Sequence, residues 1–252
     1  MLSMANHFTI IIPSYNNERW AKRCLSSALS QDYDNYDVVY VNDCSTDNTA
    51  VVVEQIVNET DTKANVKVVN NTTNRKALYN LWSEISQAKD GTIIVTLDGD
   101  DWFPNDQILN TLNETYSSNE VWITAGSYID NSTGVVSSPN VTSDYWIGNI
   151  RSKLWTISHL RTFRKELFMK IEQKDLLDKD GDFYKFTFDQ AMMYPMAEMA
   201  GPLHFREIKD VTYVYNRHNP LSVDRVHRYD QLRIEQDIRK KYPYSRLESL
   251  DA

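Results

Sequence analysis

An α/β fold with a doubly wound, mainly parallel sheet is predicted by three features of the 252-residue chain. Short apolar runs alternate with helical patterns through the first half. Each run stops at a cluster of polar turn formers, where an α/β sheet gathers its ligands. The spacing suits strand–helix–strand units, and the chain is long enough to bury a substantial core.

The elements follow in order. Phe8–Ile12 is an apolar run stopped at Pro13, as for a buried strand. From Glu18 to Gln31, the residues Trp20, Cys24, Leu25, Ala28 and Leu29 share one helical face. Val38–Val41 is a second strand, ending at Asn42-Asp43-Cys44-Ser45, and Asp47-Asn48-Thr49 caps a helix running to about Val57. Val66–Val69 and Thr92–Leu97 are strands around a helix at Leu78–Ala88, and Ile108, Leu109 and Leu112 mark the next helix. The second half is less regular. Val121–Ser127 reads as a strand, residues 130–144 as a polar loop, and the stretch between Trp146 and Trp155 has no assignable period. Phe168–Ile171 and Phe188–Met199 read as helices, Val211–Tyr215 as a strand, and Val226–Lys241 as a polar amphipathic helix.

The formal charge of -8 argues against duplex nucleic acid, which needs a basic face. It leaves room for a small anion, because one divalent cation reverses a local field. The two cysteines, Cys24 and Cys44, form no CxxC pair, so neither a zinc cluster nor a disulfide framework is expected, and Cys24 is a packed thiol. The opening residues 1–16 lack the basic region and small-residue cleavage site of a signal peptide, and no run is long enough to span a membrane. A soluble, reducing, cytoplasmic setting is expected, with membrane contact peripheral at most; the sequons at Asn113 and Asn131 are then unread.

Thr96-Leu97-Asp98-Gly99-Asp100-Asp101-Trp102 is the most informative stretch. Three carboxylates within four residues repel one another unless a cation neutralises them. Hard oxygen ligands at a strand end suit Mg²⁺ or Mn²⁺, ions that also bind phosphate oxygens. Alternation along an extended chain puts Asp98 and Asp100 on one side, and Gly99 permits a tight turn or close approach.

Four segments carry a resemblance: Ile10–Asn17, the helix end Leu25–Gln31, Val41–Thr49 and Leu97–Asp101. In order and spacing they resemble glycosyltransferase family 2, strongly over about the first 105 residues. The resemblance implies a GT-A fold and an inverting transferase that moves a sugar from a nucleotide-sugar, UDP-linked in first place, to an acceptor hydroxyl. It implies Pro13 and Tyr15 along the nucleotide base and Asp43 as the acid that accepts from the base. Asp98 and Asp100 match the DXD motif, with Asp98 near the ribose or a metal-bound water and Asp100 a direct ligand of Mn²⁺ or Mg²⁺. Asn74, Arg75 and Lys76 match more loosely as donor contacts, as does Gly99. One departure is Asn42, where the family usually has an acid.

In the second half, the resemblance implies a catalytic base opening a helix, and Asp189 fits. Its bland alternative is an N-cap. Asp180 and Asp182 are rivals that read as an exposed turn. His218, in the segment Tyr215–Ser222, matches a histidine that reaches the metal or diphosphate in such enzymes. His159 and Arg161 are candidates for the acceptor or diphosphate, His204 sits on a strand as a structural residue, and Trp102, Trp146 and Trp155 are weak candidates for stacking on sugar rings. One domain is expected: about 6–105 for the donor, about 106–225 for the acceptor, and a helix over about 226–252 able to pair two copies as a homodimer. The acceptor is a glycan, a lipid-linked saccharide or a protein. The rival readings are a sugar nucleotidyltransferase, disfavoured because Pro13–Asn17 holds no glycine, and a scaffold that binds nucleotide-sugar without turnover.

Overall fold

The computed structural model describes residues 5–220 and 222–250. Part of the amino-terminal reading, Leu221 of the closing segment, and Asp251 and Ala252 of the last helix division lie outside them. The strands are β1 (Phe8–Ser14), β2 (Tyr36–Asn42), β3 (Asn65–Asn70), β4 (Ile93–Thr96), β5 (Ile123–Asp130), β6 (Val136–Ser137), β7 (Arg161–Arg164) and β8 (Phe205–Tyr215). The helices are α1 (Glu18–Leu29), α2 (Thr49–Glu59), α3 (Lys76–Gln87), α4 (Ile108–Thr115), α5 (Lys165–Met169), α6 (Phe188–His204), α7 (Val223–Val226) and α8 (Arg228–Lys240).

The sheet is ordered β3-β2-β1-β4-β7-β5-β6, with β8 paired to β5. β1 to β4 pair in parallel, β7 runs antiparallel to both β4 and β5, and β8 is parallel to β5. Alternate strand residues face opposite layers. Ile10, Ile12, Val38, Tyr40 and Val95 pack under α1, α2 and α4; Ile11, Val39, Ile94 and Phe163 pack under α3, α5 and α6. Covering both faces is what the near-continuous apolar runs of the first half require.

The first half follows expectation within a residue or two, and the second half differs in ways the packing explains. β7 is the missed strand. Its sequence Arg-Thr-Phe-Arg has no apolar run, yet Arg161, Thr162 and Phe163 are buried because partners pair on both edges. β8 starts at Phe205, not Val211, since charged residues fill its outward positions. α6 continues past Met199 to His204 across a break at Gly201 (φ 59°), so His204 ends a helix rather than lying on a strand. The helix expected at Phe168–Ile171 is the earlier turn Lys165–Met169, and the expected loop 130–144 holds the short strand β6. The last helix is split into α7 and α8.

Gln31 is not the end of α1 but a buried connector. Its side-chain amide donates to Asn105 O (2.9 Å) and its oxygen accepts from Leu109 N (3.2 Å), tying α1 to the entry of α4.

Candidate active site

β1, β2 and β4 are parallel, so the turns after Ser14, Asn42 and Thr96 share one edge of the sheet. Strained backbone marks this edge. Among the described residues, the non-glycine residues at positive φ are Asn16 (54°), Cys44 (62°), Lys76 (68°) and Thr187 (57°). Such conformations cost of order 1–3 kcal/mol each and tend to cluster at functional sites.

On the side of β1 and β2, Asp43 is 3% exposed and accepts from Asn71 Nδ2 (2.9 Å) and the backbone N–H groups of Arg75 and Lys76 (both 2.8 Å). It therefore anchors β2 to the amino end of α3, where the helix dipole favours a carboxylate. Asn42, at the family's acid position, donates to Asn70 Oδ1 (2.9 Å) and accepts from Ser45 N (3.2 Å), so an amide that both gives and takes fits that place. Tyr15 is 44% exposed, with the Lys76 ammonium 5.9 Å from its ring centre, and the Arg75 guanidinium lies 5.1 Å from the ring of Tyr79. Pro13 is buried, and its carbonyl accepts from Gly99 N–H at 3.2 Å. A Cβ on Gly99 would sit 2.6 Å from the Ser14 side chain, so the close approach that needs glycine is to β1.

The carboxylate turn divides its acids. Asp101 is 1% exposed; its oxygens accept from Tyr213 Oη (2.5 Å) and Asn216 N (2.7 Å), and burial among Asp100 and Asp98 pushes its carboxyl well up. Asp100 accepts from Asn219 Nδ2 at 2.7 Å. Asp98 is pushed up by burial and pulled back by Arg161, whose Nη2 lies 3.3 Å from its Oδ2. Cys24 is a buried free thiol, its Sγ 3.6 Å from Asp98 O, as the packed-thiol reading expects.

Arg161 joins the two halves of the site. It is 2% exposed, and its Nη1 lies 3.5 Å from Asp189 Oδ2 while Nη2 reaches Asp98. Burial opposes its charge, but the two carboxylates outweigh that and its pKa is raised. Asp189 is the second residue of α6, with Thr187 at the cap, so it is not the N-cap; its carboxylate faces the strand instead. The antiparallel register that pairs Thr96 with Arg161 is what brings the guanidinium beside the carboxylate turn.

His159, two residues before Arg161, is buried against Tyr213 (ring centres 4.4 Å apart), and burial pushes its imidazole well down toward the neutral form. Its Nδ1 has no hydrogen-bond partner and lies 4.0 Å from Asp98 Oδ2. Asp98, Asp101 and His159 each offer a ligand atom within 4.8 Å of the others. Carboxylates with a buried, unpartnered, neutral imidazole suit a divalent cation such as Mn²⁺. His218 is not in that grouping. It lines a cleft on the α1 side of the turn, with Trp102, which is buried beneath Arg23.

The remaining candidates are placed away from this centre. Asp180 and Asp182 are exposed, and their N–H groups donate to Asp178. Trp146 and Trp155, half-buried, pack on Phe205 and Tyr194 at the edge of the core, and His204 stacks on Trp122 at 3.5 Å. Sequence reasoning missed Tyr213, Asn216 and Asn219, although the latter two lie in the segment singled out for His218.

The family model for glycosyl transferase family 2 matches residues 9–179. The chain is 33% identical over 97 residues to the poly(ribitol-phosphate) beta-N-acetylglucosaminyltransferase TarS of Staphylococcus aureus, covering 38% of this chain and 16% of that protein. It is 32% identical over 122 residues to an uncharacterized glycosyltransferase of Haemophilus influenzae, covering 48% of this chain and 46% of that one. The chain thus spans less than half the length of these relatives. Among solved structures, S. aureus TarS 1–349 in complex with UDP superposes with a TM-score of 0.63 at 22% identity, over 92% of this chain and 65% of that one. The mannosyltransferase PcManGT of Pyrobaculum calidifontis, in complex with GDP-Man and Mn²⁺, gives 0.62 at 21% identity, over 96% and 67%. With a family match over more than half its length and the sheet of these transferases, the chain belongs to glycosyl transferase family 2 and has the GT-A fold.

Proposed function

We propose that the chain is a metal-dependent, inverting glycosyltransferase that moves a sugar from a nucleoside diphosphate donor to an acceptor hydroxyl. The observation that carries this reading is the buried Arg161 bridge between Asp98, at the carboxylate turn, and Asp189, at the start of α6. It sets a donor-side acid and a base on either side of one cation.

In this reading Asp189 takes the proton from the acceptor hydroxyl as that oxygen bonds to the anomeric carbon. The bond from the anomeric carbon to the diphosphate breaks, and its electron pair leaves with the nucleotide. Arg161 holds Asp189 in place through the contact of its Nη1 with the carboxylate at 3.5 Å. Asp98 would hold the divalent cation with Asp101 as the second carboxylate and His159 as the nitrogen donor, whereas Asp100 and His218 stand outside that grouping. The cation, when bound, supplies charge stabilisation for the leaving diphosphate. Tyr15 offers an open face for the base. Asp43 already accepts three hydrogen bonds within the chain, which leaves it little capacity for reading a base. UDP is the first donor to test, because a relative's structure contains it. The continuous sheet across both halves supports reading the chain as one transferase domain.

Calorimetric titration with UDP, GDP, CDP and dTDP, each with Mn²⁺ and with chelator, tests the donor site: one nucleotide binds, and chelator abolishes it. Asp189→Asn then keeps that affinity but lowers turnover of the matching nucleotide-sugar by about 10²- to 10⁴-fold. Wild-type turnover in that variant moves the base elsewhere.

A further inference from the structure

A cleft of about 970 Å³ opens on the α1 side of the carboxylate turn, lined by Arg19, Trp20, Arg23, Trp102, Asp130 and His218 with their neighbours. Trp102 follows Asp101 directly and pairs its backbone with Val214 of β8, so the floor of the cleft continues from the turn that carries Asp98 and Asp100. Arg75, Lys76 and Asp43 belong to the entry of α3, on the other face of the sheet.

Arg19 and Arg23 stand four residues apart on α1, hence on one face and roughly 6 Å apart along the axis. Each guanidinium lies over an indole, Arg19 at 4.7 Å from the ring centre of Trp20 and Arg23 at 3.8 Å from that of Trp102. A guanidinium held this way is ordered while its in-plane N–H groups stay available to oxygen. Both arginines are exposed, and neither has an ion-pair partner among the described residues. The carboxylate in the lining, Asp130, is already engaged by Arg217 at 3.4 Å and by the N–H groups of Ser132 and Thr133. A chain of net charge -8 repels anions at long range, and an uncompensated cationic cleft is where that sign reverses. The volume suits several linked units, not a single inorganic ion.

We propose that this cleft holds the non-reacting length of an anionic acceptor, a saccharide or polyol chain bearing phosphate or carboxylate groups, whose reacting end passes the sheet edge to Asp189. Arg19 and Arg23, braced on Trp20 and Trp102, hold its negative groups, and His218 lies at the end next to the carboxylate turn. This assignment rests on the transferase reading above.

The test is calorimetric binding of a glycerol phosphate oligomer and of an oligogalacturonate, with maltohexaose as the neutral control, to wild type and to Arg19→Gln/Arg23→Gln. Mn²⁺-dependent nucleotide affinity is measured on the same samples. At least one anionic probe binds more tightly than the neutral one, and added salt weakens it, as screening requires. The double variant loses at least tenfold of that affinity while nucleotide affinity stays within twofold. The probe that binds tells phosphate from carboxylate. Equal binding of neutral and anionic probes, or an unchanged double variant, overturns the proposal. Arginine-dependent binding to anionic lipid vesicles, with none to either oligomer, also overturns it and makes the cleft a membrane-facing patch. Probe binding without nucleotide binding in wild type removes the transferase reading, and the acceptor assignment with it, while leaving a cationic cleft.

Discussion

Asp43, on the parallel side of the sheet, is held by an amide and two backbone N–H groups of its own chain neighbourhood, whereas Asp98 and Asp189 meet across the sheet at the guanidinium of a buried arginine. Neutral donors fix the oxygens of a carboxylate without tying its charge to another ionised group, which makes the Asp43 region a clamp. A shared cation leaves two carboxylates coupled and the charge of each dependent on the other, which suits groups that must meet a metal or a proton. The same contrast runs through the packing. The parallel half is held by apolar strand residues under helices, while the second half closes on Arg151, 2% exposed and paired bidentately with Glu198 at 2.7 Å for both bonds. Arg151 also donates to Ile238 O (2.9 Å), so one ion pair links α6 to α8.

Breaking that buried pair is the largest expected effect. Arg151→Met strands Glu198 and lowers stability by about 3–5 kcal/mol in a denaturant titration, while Arg151→Met with Glu198→Met recovers much of the loss. A midpoint unchanged in the single variant would make the second half as independent of charge as the first. Next comes the bridge itself. Arg161→Gln lowers turnover on the order of 10²-fold by releasing Asp189, with the donor KM little changed, and Arg161→Lys recovers part of it. An equal loss in KM alone would place Arg161 on the donor rather than beside the base. The smallest effect lies at the far edge of the parallel half. Burial lowers the His7 pKa despite Asp37 at 3.4 Å, so the imidazole is held neutral in the fold. Its contribution is present above the unfolded value of about 6.5 and is lost as pH falls, because the unfolded chain takes the proton first. His7→Gln therefore flattens the slope of stability between pH 7 and 5.

Legibility followed the range of the contacts. Asp98, Asp100 and Asp43 stood out as candidates because a strand and the turn after it are adjacent in sequence, and the apolar run announces where the turn must come. Asp189 was a candidate from the resemblance alone, which did not show its contact with Arg161. Arg161 appeared only as an anion contact, since nothing in Arg161–Arg164 reads as a buried strand. His218 was expected at the metal; it lies in the cleft beside Trp102, and the imidazole near Asp98 is that of His159. Tyr213, Asn216 and Asn219 gave no signal, because what they do is bond to a turn more than a hundred residues earlier.

The sequence by itself determined the alternating layers, the parallel core and the edge that carries the carboxylate turn. Those follow from local periodicity and from polar residues where apolar runs stop. Only the tertiary structure decided which side chains face that turn. The antiparallel insertion of β7 between β4 and β5 sets Arg161 between Asp98 and Asp189, and strand pairing at such separations depends on the packing of the whole sheet, not on the residues of the strand.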